Sequence, residues 1–95
     1  IKHMGHRIEL SEIEIAVNSL SFVEAACCVY DTEEEKIVLF YQSKEQCDRE
    51  VLKEAGTILP KYMLPNRLVQ MTALPMTKNA KIDRIALKKE FIDHA

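Results

Sequence analysis

The sequence predicts a small α+β domain. Its core is a three-stranded sheet, antiparallel or mixed, packed with helices and preceded by a short N-terminal strand or hairpin. Three observations carry this. Two apolar runs, residues 25–30 and 36–41, flank a short acidic turn, the pattern of paired strands. Two further stretches repeat apolar residues at helical spacing behind plausible caps. And 95 residues with 47% apolar content suit one modest core.

Residues 2–10 mix polar and apolar side chains around one glycine and read as a strand or hairpin. Ser11 is a good N-cap for a first helix, with Glu14 at the capping-box position and Leu10 and Ile15 as a hydrophobic staple. Ile13, Ala16, Val17 and Leu20 form its buried stripe. The run Ala25-Ala26-Cys27-Cys28-Val29-Tyr30 is a buried strand. Thr32-Glu33-Glu34-Glu35 is a solvated turn, and the β-branched and aromatic run Lys36-Ile37-Val38-Leu39-Phe40-Tyr41 is its antiparallel partner.

Asp48 opens a second helix with Val51, Leu52, Ala55, Ile58 and Leu59 on one face. Gly56 loosens its last turn, at a cost of about 1 kcal/mol relative to alanine, and Pro60 stops it. Two prolines stiffen Leu59-Pro60-Lys61-Tyr62-Met63-Leu64-Pro65, where Tyr62 and Met63 are expected to pack under the helix end. Arg67-Leu68-Val69-Gln70-Met71 reads as a third strand. Asp83 caps a last helix with Leu87 and Phe91 inward.

Composition excludes several classes. A net charge of −2 with no basic, aromatic-studded face argues against nucleic acid. No apolar run approaches the roughly 20 residues that span a bilayer, so no membrane partner is expected. Cys27 and Cys28 fall on opposite faces of one strand and, with Cys47, form neither a disulfide framework nor a metal set. They read as reduced thiols of a cytoplasmic protein. His3 and His6 lack a third ligand nearby in sequence, and no metal site is expected. A start at Ile1, with Met4 inside a motif, reads as an excised fragment.

The most informative run is Leu74-Pro75-Met76-Thr77-Lys78-Asn79-Ala80-Lys81-Ile82-Asp83-Arg84. It sets Lys81 on a short polar loop between an extended segment and a helix start, where its ammonium can meet phosphate or carboxylate oxygens. The run resembles the terminal signature LPxTxNGKxDRxxL of AMP-forming adenylating enzymes. Lys2-His3-Met4-Gly5-His6-Arg7-Ile8-Glu9-Leu10 is similar to the hinge-side motif VKIRGxRIEL, and residues 59–65 to LPxYMxP. Three blocks in order make residues 1–95 look like the C-terminal lid subdomain of an adenylation enzyme whose large N-terminal domain is absent. The Asp-Arg pair and the Arg-Ile-Glu-Leu run favour the amino-acid-activating branch, which includes D-alanine–carrier protein ligases and nonribosomal peptide synthetase modules.

The resemblance implies function residue by residue. Lys81, with Asp83 and Arg84 fixing the register against nearby Lys78, corresponds to the lysine that meets the substrate carboxylate and ATP phosphates during adenylation. Gly5 and Arg7 fall on the segment that lines the passage for a phosphopantetheine thiol. ATP and Mg²⁺ would be held mainly by the N-terminal adenylation domain, and the acceptor would be a carrier protein or coenzyme A. The fragment alone would be inert. Two departures matter: Ala80 stands where the family has glycine, and Met4 where arginine is commoner. The alternatives are an acyl-CoA synthetase lid, or a free-standing α+β binding module with no catalytic role.

Overall fold

A computed structural model describes residues 1–3 and 5–92. Lys2–His3 (β1) and His6–Arg7 (β2) form a hairpin, with Lys2 opposite Arg7 and His3 opposite His6. Helix α1 runs Leu10–Asn18, and strands Ala25–Asp31 (β3) and Lys36–Gln42 (β4) follow. Helix α2 spans Asp48–Ala55, a 3-10 turn covers Lys61–Met63, β5 is Arg67–Met71 and α3 is Arg84–Phe91. The sheet order is β3-β4-β5. β3 and β4 are antiparallel, as the short turn predicts, and the Asp31 carboxylate accepts the Glu33 and Glu34 N–H groups there. β5 runs parallel to β4, so the sheet is mixed, with α2 lying in the long crossover that a parallel pair requires.

Strand alternation builds two cores. On one face Cys28, Ile37, Leu39 and Tyr41 meet Ile13 and Val17 of α1 and Val51 and Ala55 of α2. On the other, Cys27, Val29, Val38 and Phe40 meet Leu74, Leu87 and Ile92. The helices thus sandwich the sheet in three layers. Leu87 is fully buried and the Phe91 ring lies 5.4 Å from that of Phe40, the inward pair expected of α3. The Cys27 and Cys28 side chains do take opposite faces, and all three cysteines are free. Burial pushes the Cys27 thiol up to about 11 and the Cys28 thiol up to about 12.

Several local expectations are corrected. The first helix begins at Leu10, so its N-cap is Glu9, without a side-chain cap bond, and Ser11 with Glu14 forms no capping box. Glu14 has a distant partner instead, described below. Ile15 is 70% exposed, not a staple, because two residues at about 100° each turn it away from Ile13 and Val17. Helix α2 ends at Ala55, before Pro60, and Gly56 is its C-cap with ordinary right-handed angles. The next turn tightens through Thr57 N–H to Glu54 O and Ile58 N–H to Ala55 O bonds, which rotate Ile58 out of the apolar stripe into solvent.

A partly buried polar knot starts α2. The Tyr41 hydroxyl donates to the Asp48 carboxylate and accepts the Cys47 N–H at 2.8 Å. Burial, then the bond to Asp48, pushes the Tyr41 phenol well above its ordinary range. Met63 is buried under the helix end as expected, whereas Tyr62 is exposed and stacks on His6 with centroids 3.9 Å apart. That stack ties the LPxYMxP-like block to the N-terminal hairpin.

Candidate functional site

Lys81 lies on a two-stemmed loop whose geometry follows from a few backbone bonds. Met76 and Ile82 form an antiparallel bridge, and Asp83 N–H donates to Pro75 O at 2.8 Å. Inside these, Thr77 N–H donates to Lys81 O at 2.7 Å and Ala80 N–H to Thr77 O at 3.1 Å. Ala80 sits at φ +59°. This is a turn closed by one left-handed residue, the position at which glycine is favoured because it has no Cβ. Ala80 therefore holds the conformation that the glycine of the resembling motif would hold, with strain added. The Thr77 hydroxyl accepts Lys81 N–H at 3.3 Å.

Both stems are rooted. Leu74 is buried, and its N–H donates to the Gln42 side chain at 2.9 Å. Ile82 packs on the second core, and Asp83 caps α3 by accepting the Ala86 N–H at 3.0 Å. Lys81 itself is exposed and makes no ion pair among the described residues. It lines a shallow concavity with Leu74, Met76, Thr77 and Ile85. An unpaired ammonium on a pinned turn beside apolar side chains can meet an anion brought to it from outside the chain.

Gly5 turns the N-terminal hairpin at φ +81°, and a Cβ built there meets nothing within 4 Å. The chain itself thus needs glycine for its backbone angle, and the face of the turn is open. Arg7 is exposed and sits directly across from Lys2, two like charges side by side with no acid paired to either among the described residues. Met4 lies outside the described residues. His3 is buried and its Nδ1 lies 3.0 Å from the Tyr30 hydroxyl, which anchors the hairpin to β3.

The structure does not merge these residues into one site. Ile8, next to Arg7, is buried in the first core, whereas Ile82, next to Lys81, joins the second. The hairpin and the Lys81 loop are rooted on opposite faces of the sheet. Among the described residues no cluster of three His, Cys, Asp or Glu could hold a metal ion.

Two residues carry structure that the local sequence did not signal. The Arg84 guanidinium grips Glu14 with both nitrogens, at 2.7 and 3.1 Å. The same carboxylate accepts the Cys28 N–H at 2.6 Å, and the same guanidinium reaches Cys28 O at 3.3 Å. The bond to Glu14 raises the guanidinium's proton affinity. A separation of 70 residues leaves no local mark.

The chain is thus a small mixed α+β domain that presents an exposed lysine from a pinned turn ahead of a capped helix. Residues 12–81 match the family described as the AMP-binding enzyme C-terminal domain, and the chain belongs to that family. It is 36% identical over 100 residues to a D-alanine–D-alanyl carrier protein ligase of Bacillus licheniformis, covering 95% of this chain and 20% of the ligase. It is 41% identical over 96 residues to surfactin synthase subunit 1 of Bacillus subtilis, covering 98% of this chain and 3% of that subunit. The chain thus spans a fifth or less of these relatives. Klebsiella oxytoca NpsA, solved with 3-hydroxyanthranilyl-AMSN, shares the fold at a TM-score of 0.88 and 24% identity, over 98% of this chain and 19% of that one. No helix among the described residues is long and apolar enough to cross a membrane.

Proposed function

We propose that residues 1–95 are the C-terminal lid of an ATP-dependent, AMP-forming ligase that activates an amino acid and passes it to a carrier-protein phosphopantetheine thiol. The observation that carries this reading is Lys81, exposed and unpaired among the described residues, on a turn pinned at both stems. Similarity to a D-alanyl carrier protein ligase and to a surfactin synthase subunit supports the carrier protein over coenzyme A as acceptor. A cytoplasmic enzyme fits three free thiols, two of them buried.

In the first half-reaction a carboxylate must approach a polyanionic triphosphate held, with Mg²⁺, by a large N-terminal domain. Lys81 would sit between them and offset the repulsion as charge develops. A cation about 4 Å from a phosphate oxygen contributes about 4 kcal/mol at an effective dielectric of about 20. That corresponds to roughly a thousandfold in rate. In the second half-reaction Gly5 would leave room for a slender thiol-bearing arm close to the backbone, and Arg7, crowded by Lys2, would meet an anionic group. Thioester formation with loss of AMP is the chemistry the thiol supplies when bound. By itself the 95-residue chain would be inert.

ATP–pyrophosphate exchange by the full-length protein against a panel of amino acids tests this. Exchange that depends on one amino acid and falls by about 10²- to 10³-fold in Lys81→Ala is the expected result. Exchange that survives the substitution would displace Lys81 from the role. No exchange with any amino acid would displace the amino-acid reading.

A further inference from the structure

We propose that Glu14 and Arg84 form a positioning clamp that sets where Lys81 can reach, an inference that rests on the adenylation role proposed for Lys81. Arg84 is the first residue of α3, three positions after Lys81, and Asp83 between them is the cap of that helix. The rotation of α3's first turn therefore orients the stem from which Lys81 projects. The backbone bonds of that stem, Pro75 to Asp83 and Met76 to Ile82, lie within the loop itself, and Leu74 and Ile82 root it on β4 and the second core. Arg84 is the member of this segment that reaches across to α1.

The contact is more specified than stability alone requires. Arg84 is about half exposed, at 51%, while Glu14 is nearly covered, at 13%. A half-exposed ion pair adds little to folding. Yet both guanidinium nitrogens engage both carboxylate oxygens, a fork geometry that fixes angle as well as distance. The pair also closes on the outer edge of β3, with Glu14 accepting Cys28 N–H and Arg84 donating to Cys28 O and approaching the Cys27 sulfur at 3.2 Å. Three elements are thus held at one point: α1, the edge strand and the start of α3. Because α1 begins three residues after Arg7, the same point also fixes the Lys81 stem relative to the N-terminal hairpin.

The test uses Arg84→Lys, which keeps the charge and loses the fork, and Glu14→Gln, which keeps an acceptor for Cys28 N–H and loses the ion pair. Each is made in the full-length protein, alone and on Lys81→Ala, with exchange kinetics and thermal melting recorded together. The expected result is a fall in kcat of about 10- to 100-fold for each single variant. KM should stay within about twofold, and neither change should slow Lys81→Ala further by more than about twofold. Losses that persist in full on the Lys81→Ala background would overturn the clamp as a positioning device, as would exchange at the parent rate in both single variants. Exchange that survives Lys81→Ala would overturn the role of Lys81 and the clamp together, whereas losses that persist on that background overturn the clamp alone, which separates the two failures.

Discussion

Ala80→Gly isolates the strain in the Lys81 loop. Ala80 stands at φ +59°, where a Cβ costs about 1–2 kcal/mol relative to glycine. Glycine gives back about 0.4–1 kcal/mol of that gain through the greater freedom of its unfolded chain. The difference leaves Ala80→Gly stabilising by about 0.5 kcal/mol. At about 4–8 °C per kcal/mol for a domain of this size, the melting point should rise by about 2–4 °C. Ala80→Val supplies the contrast, since a β-branched side chain fits the left-handed region worst and should lower the melting point. Calorimetry of the 95-residue chain reads both. A glycine variant that melts below the parent, or a valine variant that matches it, would show that residue 80 does not hold a left-handed angle in solution. The account of the turn, and of why glycine is usual there, would then fail.

Further outcomes follow from the same geometry. A Cβ at Gly5 meets no atom within 4 Å, so the folding cost of Gly5→Ala should be only the positive-φ penalty of about 1–2 kcal/mol. In the full-length protein this variant should slow thiol acylation while leaving pyrophosphate exchange near the parent rate, and equal losses in both would refute the division. Tyr41→Phe strips the acceptor from Cys47 N–H and the donor from Asp48, and should cost about 1–3 kcal/mol in urea unfolding. Iodoacetamide at pH 8 should label Cys47, which is partly exposed, before Cys27 and Cys28, as peptide mapping would show. The raised thiols also fix the sign of the alkaline response. Above about pH 9 the unfolded chain loses thiol protons that the folded chain keeps, so their contribution is present below that pH and fades towards about 11 and 12. A urea midpoint unchanged between pH 8 and pH 10.5 would contradict this.

What the sequence makes legible here is local. Strands β3, β4 and β5 and the Asp83 cap could be read because alternation, β-branching and a capping side chain act within a few residues. The parallel pairing of β5 could not, because register between strands is set by the long crossover and by which faces the helices cover. Glu14 shows how a local rule fails. Three residues after a serine it satisfies the capping-box pattern, but a bidentate arginine and an edge-strand N–H compete for the same carboxylate, and their geometry prevails. Ile58 fails differently, since the tightened turn after Ala55 changes the angular step that placed it inward. Of the candidate site, Lys81, Gly5 and Arg7 stand out only through motif resemblance, and their placement on opposite faces depends on the cores that Ile8 and Ile82 enter.

That placement constrains how a lid of this kind would work. A three-layer body with two closely packed cores transmits rotation as a unit and does not bend at its centre. Its N-terminal hairpin is anchored through Ile8, His3 and the His6–Tyr62 stack, and its Lys81 loop through Leu74, Ile82 and Arg84. With the two rooted on opposite faces, neither loop can take the other's place by a local rearrangement. Under the proposed function, exchanging Lys81 for the Gly5 turn at one catalytic centre therefore requires the whole domain to turn relative to its partner. The two half-reactions would be separated by a rigid-body step, with the hinge outside the packed core.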